Sequence, residues 1–246
     1  MSETEFDRYA ADYRASVNEA AGMAGVDVDR LAGHKARVLL GLVEQRLGDA
    51  TSRKVLDVGC GIGLVDAELV GGVGELHGVD TSQKSLEEAA RAVPSACFRH
   101  FGGERVPHAD AAFDLVFAIC VLHHVPPRDR LALVAEMVRV TRPGGIVAII
   151  EHNPLNPVTR HIVSRCAFDR DAVLLRCGTG ARLLAGAGLE PGGRGYIAFW
   201  PQRSAFIERV EQRIGWLPAG AQYYVWATKG PAGPAIPSRP APRRPS

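Results

Sequence analysis

The stretch VLDVGCGIGLVDAEL, Val55 to Leu69, passes from an apolar run through three glycines into a helical pattern. Glycine stands where a backbone must turn sharply or where a ligand touches the main chain. The helix that follows offers free N–H groups and the positive end of its dipole. Spacing then narrows the ligand. Gly59, Gly61 and Gly63 read G-x-G-x-G, and the dinucleotide fingerprint would need glycine where Leu64 stands. No Lys-Ser/Thr pair follows, so the turn is not a phosphate-gripping P-loop. Asp57, two residues before the first glycine, would repel a phosphate and attract an ammonium or sulfonium group. A second acid, Asp80, ends the next apolar run, where a carboxylate can accept hydrogen bonds from both hydroxyls of a ribose. Two acids framing a glycine turn point to a nucleoside that carries a cationic amino acid. S-adenosylmethionine fits that description.

Outward from this turn, short apolar runs alternate with helical patterns. KVLDV, ELHGVD, the weaker ACFRHF, FDLVFAIC and GGIVAIIEH read as strands, with helices through LVDAELV, SQKSLEEAARAV and PRDRLALVAEMVRVT. Arg142-Pro143-Gly144-Gly145 reads as a helix stop and a tight turn. Beyond Glu151, HNPLNPVTR is a loop, DAVLLRCGTGARLLAGAG is helical, and GYIAFW and AQYYVWAT are strands around a helix at SAFIERVEQRI. Continuous apolar strands alternating with helices predict an α/β fold, a doubly wound, Rossmann-like seven-stranded sheet with helices on both faces. Residues 1–48 read as a helical lid, with Phe6, Tyr9, Ala10 and Tyr13 on one face. Residues 49–229 form the α/β domain, and the Pro/Arg-rich stretch 230–246 reads as a disordered tail.

Composition excludes several classes. At 46% hydrophobic and 23% charged residues there is ample material for a core, and no apolar run approaches the ~18 residues that span a bilayer. The acidic, polar opening MSETEFDRYA predicts a cytoplasmic protein with no leader and no membrane partner. The net charge of +2 owes much to Arg239, Arg243 and Arg244 in the tail; the body carries no basic concentration, which argues against nucleic acid. Five cysteines without C-x-x-C spacing exclude a disulfide framework and a zinc knuckle, and Cys97 and Cys120 read as small buried hydrophobes.

VLDVGCGIG, the GVD at 78–80, FDLVFAICVLHHV at 113–125 and RPGGIVAIIEHNP at 142–154 together resemble the successive motifs of class I S-adenosylmethionine-dependent methyltransferases, over roughly residues 50 to 190. The resemblance implies a seven-stranded sheet with an antiparallel last strand. It implies that Asp57, with the backbone of Gly59, Cys60, Gly61 and Gly63, holds the methionine end. Asp80 would bind the ribose with Thr81 and Ser82 nearby, and Ile119 and Cys120 would line the sulfonium side. YAADY, with Tyr13, would lie over the cofactor. Many such enzymes place an aspartate after the third strand to face the adenine amine; Gly102 stands there, with Glu104 close by.

His123 and His124 follow the fourth strand at the edge where ligands bind, so either is a candidate base; the alternative is a loop-closing role. Glu151 and His152 end the fifth strand at the same edge, and Glu151 is a third candidate. None of the histidines shows metal-ligand spacing, so no metal is expected. Arg160, His161 and Arg165 read as an acceptor-facing group or a solvated helix face. The aromatics Tyr196, Phe199, Trp200, Tyr223, Tyr224 and Trp226 read as pocket wall or sheet core. The expected reaction is methyl transfer to an oxygen of a small-molecule acceptor. The rivals are other chemistry on the same cofactor, such as cyclisation or decarboxylation, and a non-catalytic partner subunit.

Overall fold

The two strongest apolar runs lie at the centre of the sheet. In the computed structural model, which describes residues 27–166, 169–200 and 205–231, the strands are β1 (Lys54–Val58), β2 (Glu75–Asp80), β3 (Cys97–His100), β4 (Phe113–Ile119), β5 (Thr141–His152), β6 (Glu190–Ile197) and β7 (Gln222–Thr228). They form one sheet in the order β3-β2-β1-β4-β5-β7-β6. β1 to β5 pair in parallel, whereas β7 is antiparallel to both β5 and β6, between which it lies. The doubly wound fold with one reversed strand is therefore the one expected.

Alternation within each strand divides the core between two faces. On one, α1 (Val28–Leu47) and α2 (Leu64–Leu69) bring Leu39, Leu42, Val43, Val65 and Leu69 against Leu115, Phe117, Ile146, Ala148 and Ile150. On the other, α4 (Arg130–Val140) and α6 (Cys177–Gly186) bring Leu133, Val134, Met137 and Leu184 against Val116, Ala118, Val147 and Ile149. The remaining described helices are α3 (Gln83–Ala92), α5 (Pro157–Arg165) and α7 (Ala205–Ile214).

Several local expectations need correction. α1 is more than a lid: seven of its residues from Val28 to Val43 are buried, because they recur on the face turned to the sheet. Asp27 starts it by accepting from the N–H groups of Asp29 and Arg30. The turn expected at 142–145 lies inside β5, which begins at Thr141 and bulges between its pairings with Phe113 and Leu115. Gly144 takes φ +74 there, and Lys229 holds the bulge through backbone bonds to Gly144 and Gly145. The lid segment with Tyr13 and the tail beyond residue 231 lie outside the described residues.

Gly63 caps α2 in a left-handed conformation, φ +78, and a Cβ there would stand 3.1 Å from the Ala89 Cβ and 3.2 Å from its Cα. Gly63→Ala combines backbone strain with a clash against α3, so it should cost about 1–3 kcal/mol. Thermal unfolding followed by circular dichroism checks this; an unchanged midpoint would mean that α3 yields without cost.

Candidate functional site

At the carboxyl ends of β1 and β4 the strand order reverses, which in open α/β sheets opens a crevice for ligands. A cavity of about 730 Å³ lies there, walled by the glycine turn, Asp57, Asp80 and Thr81, by Ile119 and Cys120, and by His123, His124 and His152. The first turns of α1 add Val28, Leu31, Ala32 and Lys35, and Phe101 to Glu104 close the side next to β3.

The turn is built by hydrogen bonds. The N–H groups of Gly59 and Cys60 both donate to the Val79 carbonyl, at 2.7 and 3.1 Å. Gly61 donates to Asp80 Oδ2 at 2.8 Å, while Asp80 Oδ1 accepts from the Ser82 N–H at 2.8 Å. Asp80 thus joins two segments without capping α3, a task that Ser82 performs by accepting from the Ser85 N–H. Gly59 is at φ +84, and a Cβ would fall 2.4 Å from a Val121 methyl, so the close approach requires glycine. Gly59, Cys60 and Gly61 line the cavity. Gly63 does not, because its α-carbon packs against Ala89.

Asp57 is 3% exposed, and its Oδ1 has no hydrogen-bond partner. Burial, then the carboxylates of Asp66 and Asp80, hold its pKa well above the usual range. Asp66 is wholly buried with both oxygens unpartnered, and burial pushes its pKa up to about 8. The floor of the site is therefore short of positive charge. A cationic ligand would supply what Asp57 lacks. Lys35 Nζ lies 4.0 Å from Cys120 Sγ, which Gln222 Nε2 approaches at 3.3 Å. Cys120 is half-buried rather than core, because β4 ends at Ile119 and Cys120 turns left-handed, φ +57, into the cavity wall. Cys97 is half-buried as well.

The opposite end is a histidine and carboxylate cluster. His123 Nδ1 lies 2.6 Å from Glu151 Oε2, whose Oε1 accepts from the Leu122 N–H at 2.7 Å. His123 Nε2 is 3.3 Å, and His124 Nε2 3.2 Å, from Asp169 Oδ1. Burial opposes charge on His123, but Glu151 and Asp169 overcome it and push the pKa up to about 10. Burial and the neighbouring His123 charge bring His152 down to about 4. Both oxygens of Glu151 are engaged and both nitrogens of His123 face carboxylates, so neither offers a free base. His124 is 19% exposed and lines the cavity.

The other candidates fall elsewhere. Arg160, His161 and Arg165 are exposed. Tyr223 is buried in the core and donates to the Leu175 carbonyl at 2.9 Å, and Trp226 packs on the opposite face under Arg46. No aromatic among Tyr196, Phe199, Trp200, Tyr223, Tyr224 and Trp226 lines the cavity. Sequence reasoning missed Lys35, Asp66 and Asp169. Asp66 was findable, since it stands three residues before Leu69 on a short helix and shares its buried face. Asp169 lies 46 residues from His123 and carries no local signal.

Residues 56–149 match the family model described as a methyltransferase domain. Methyltransferase GfsG of Streptomyces halstedii is 34% identical over 165 residues, covering 59% of this chain and 58% of that one. The 27-O-demethylrifamycin SV methyltransferase of Amycolatopsis mediterranei is 32% identical over 148 residues, covering 57% and 48%. The chain thus spans about half the length of the curated relatives it matches. Among solved structures, magnesium protoporphyrin IX methyltransferase from Synechocystis superposes with a TM-score of 0.63 at 13% identity, over 90% of this chain and 96% of that one. No helix among the described residues is long and apolar enough to cross a membrane.

Asp66 gives stability a pH dependence. Its carboxyl keeps its proton to about pH 8 when folded but releases it near 3.8 when unfolded. Between those values the folded chain binds the extra proton, so stability falls as pH rises, by on the order of a few kcal/mol. Asp66→Asn removes this loss and should raise the urea midpoint more at pH 8 than at pH 5. An equal change at both values would show that the carboxyl does not titrate this way.

Proposed function

We propose that this chain, which carries a class I methyltransferase domain, binds S-adenosylmethionine at the glycine turn and moves its methyl group to an oxygen of a small-molecule acceptor. One observation carries the reading: a buried carboxylate, Asp57, has an unpartnered oxygen in the wall of the cleft. The residues fit such a donor. Asp57 would hold its ammonium group, and Asp80, fixed by Gly61 and Ser82, would accept from its ribose. Phe101 to Glu104 stand where the base would lie, with backbone and Glu104 in place of the usual aspartate. Bound there, the donor supplies an electrophilic methyl group on a sulfonium centre.

What the chain adds is alignment, since holding reactants in line can lower a barrier by ~7–11 kcal/mol. The acceptor would occupy the histidine end of the cavity, where Val125, Leu133, Ile162 and Val163 give an apolar lining. A hydroxyl acceptor must also lose a proton. His124, which contacts Asp169 and lines the cavity, would take it. His123 and Glu151 would orient this end rather than react. The rifamycin-related enzyme, whose name places its methyl on oxygen, supports an oxygen acceptor.

Titration calorimetry tests the donor site. S-adenosylmethionine should bind, and Asp57→Asn, which keeps shape and removes charge, should weaken binding at least tenfold, about 1.4 kcal/mol. S-adenosylhomocysteine should form when apolar hydroxylated acceptors are added. Heat with a phosphate-bearing nucleotide and none with S-adenosylmethionine would overturn the reading.

A further inference from the structure

We propose that His123, His152 and Asp169 form a site for one divalent transition-metal ion of the zinc type, open toward the acceptor end of the cavity. The fold brings these residues together from three segments: the loop after β4, the end of β5, and the stretch after α5. One donor atom from each lies within 4.8 Å of the others. The rings of His123 and His152 are 5.2 Å apart between centroids, and His123 Nε2 stands 3.3 Å from Asp169 Oδ1. Donors of one tetrahedral ion with bonds of about 2.0–2.1 Å sit a little over 3 Å apart. The His123–Asp169 spacing already has that value, and His152 must close by an ångström or so.

The surroundings are those of a ligand set. Glu151 holds His123 Nδ1 at 2.6 Å, which turns Nε2 toward Asp169; a carboxylate behind a ligating imidazole is the usual way to fix its ring and tautomer. His124 braces the Asp169 carboxylate from the other side, at 3.2 Å. All three donors line the cavity, so a coordination position faces the space left for a substrate, as in catalytic rather than structural sites. Two imidazoles and one carboxylate suit zinc, cobalt or ferrous iron, whereas magnesium and calcium prefer all-oxygen sets. The spacing of these residues along the chain hides the site, because no two ligands share a local motif.

The role of the ion rests on the methyl-transfer reading; its binding does not. A bound ion would take the acceptor's hydroxyl oxygen and make that hydroxyl more acidic. Its proton would pass to His124, the oxygen lone pair would form the new C–O bond, and the C–S electron pair would return to sulfur. The site therefore selects acceptors that present a hydroxyl to the ion, over amines and carbon nucleophiles.

The test uses the untagged full chain, stripped with a chelator and titrated with Co²⁺. One equivalent should bind with visible absorption bands, be displaced by Zn²⁺, and resist excess Mg²⁺. His152→Phe, at a side chain with a place in the cavity wall, and Asp169→Asn should each weaken Co²⁺ binding at least tenfold while circular dichroism stays unchanged. Asp57→Asn should leave Co²⁺ binding as it is. Absence of bound Co²⁺, or binding untouched by both ligand variants, would overturn the site. Co²⁺ binding as expected, with no binding of S-adenosylmethionine, would support the ion site and remove only the methyl-transfer role assigned to it.

Discussion

The carboxylate of Asp80 ties the structure's working edge together. One of its oxygens takes the Gly61 N–H and the other takes the Ser82 N–H, so the glycine turn after β1 and the start of α3 are fixed to the end of β2. The Val79 carbonyl secures the same turn from the preceding residue. Without these bonds the main chain at 59–61 would not hold its turn against the cavity, and Asp57 would have no reason to stay dry. The geometry at this end is thus set by backbone bonds, and the sheet beneath supplies rigidity.

Around that joint the charges are arranged unevenly. Asp57 and Asp66 are buried acids without a cationic partner in contact; burial raises both of their pKa values, and for Asp57 the carboxylates of Asp66 and Asp80 add to it. At the other end His123 lies between two carboxylates, so the chain compensates its own charge there. The first arrangement leaves a deficit that a cation from outside can fill. The second holds polar groups in a fixed constellation beside an apolar lining. One cavity therefore has two chemically distinct ends.

Much of this could be read from the chain itself, for physical reasons. Strands buried on both faces must be apolar throughout, so β1, β4 and β5 announced themselves, and a glycine-rich turn flanked by acids is local. The gathering of Asp57, Gly59, Gly61 and Asp80 around one turn was legible because it depends on neighbours within one βαβ unit. The packing of Gly63 was not legible because its partner, Ala89, lies on another helix. Cys120 looked like core because the end of β4 is set by a backbone reversal that composition does not reveal. The bulge in β5 depends on Lys229, more than eighty residues away. Asp169 and Lys35 enter the site only through the tertiary fold, and the aromatic residues of β7 went to the core because a strand in mid-sheet has both faces covered.

The position of that strand has a consequence for how the protein is made. β7 is the last strand among the described residues, yet it fills the slot between β5 and β6, and its first residue, Gln222, reaches the cavity wall. A nascent chain leaving the ribosome carries every earlier strand before the slot can be closed. Until then β5 and β6 present unpaired edges, the kind of surface that invites association between incomplete chains. Completion of the sheet and completion of the cavity are then a single event that follows the other described strands in biosynthesis, reached only through contacts of long sequence separation.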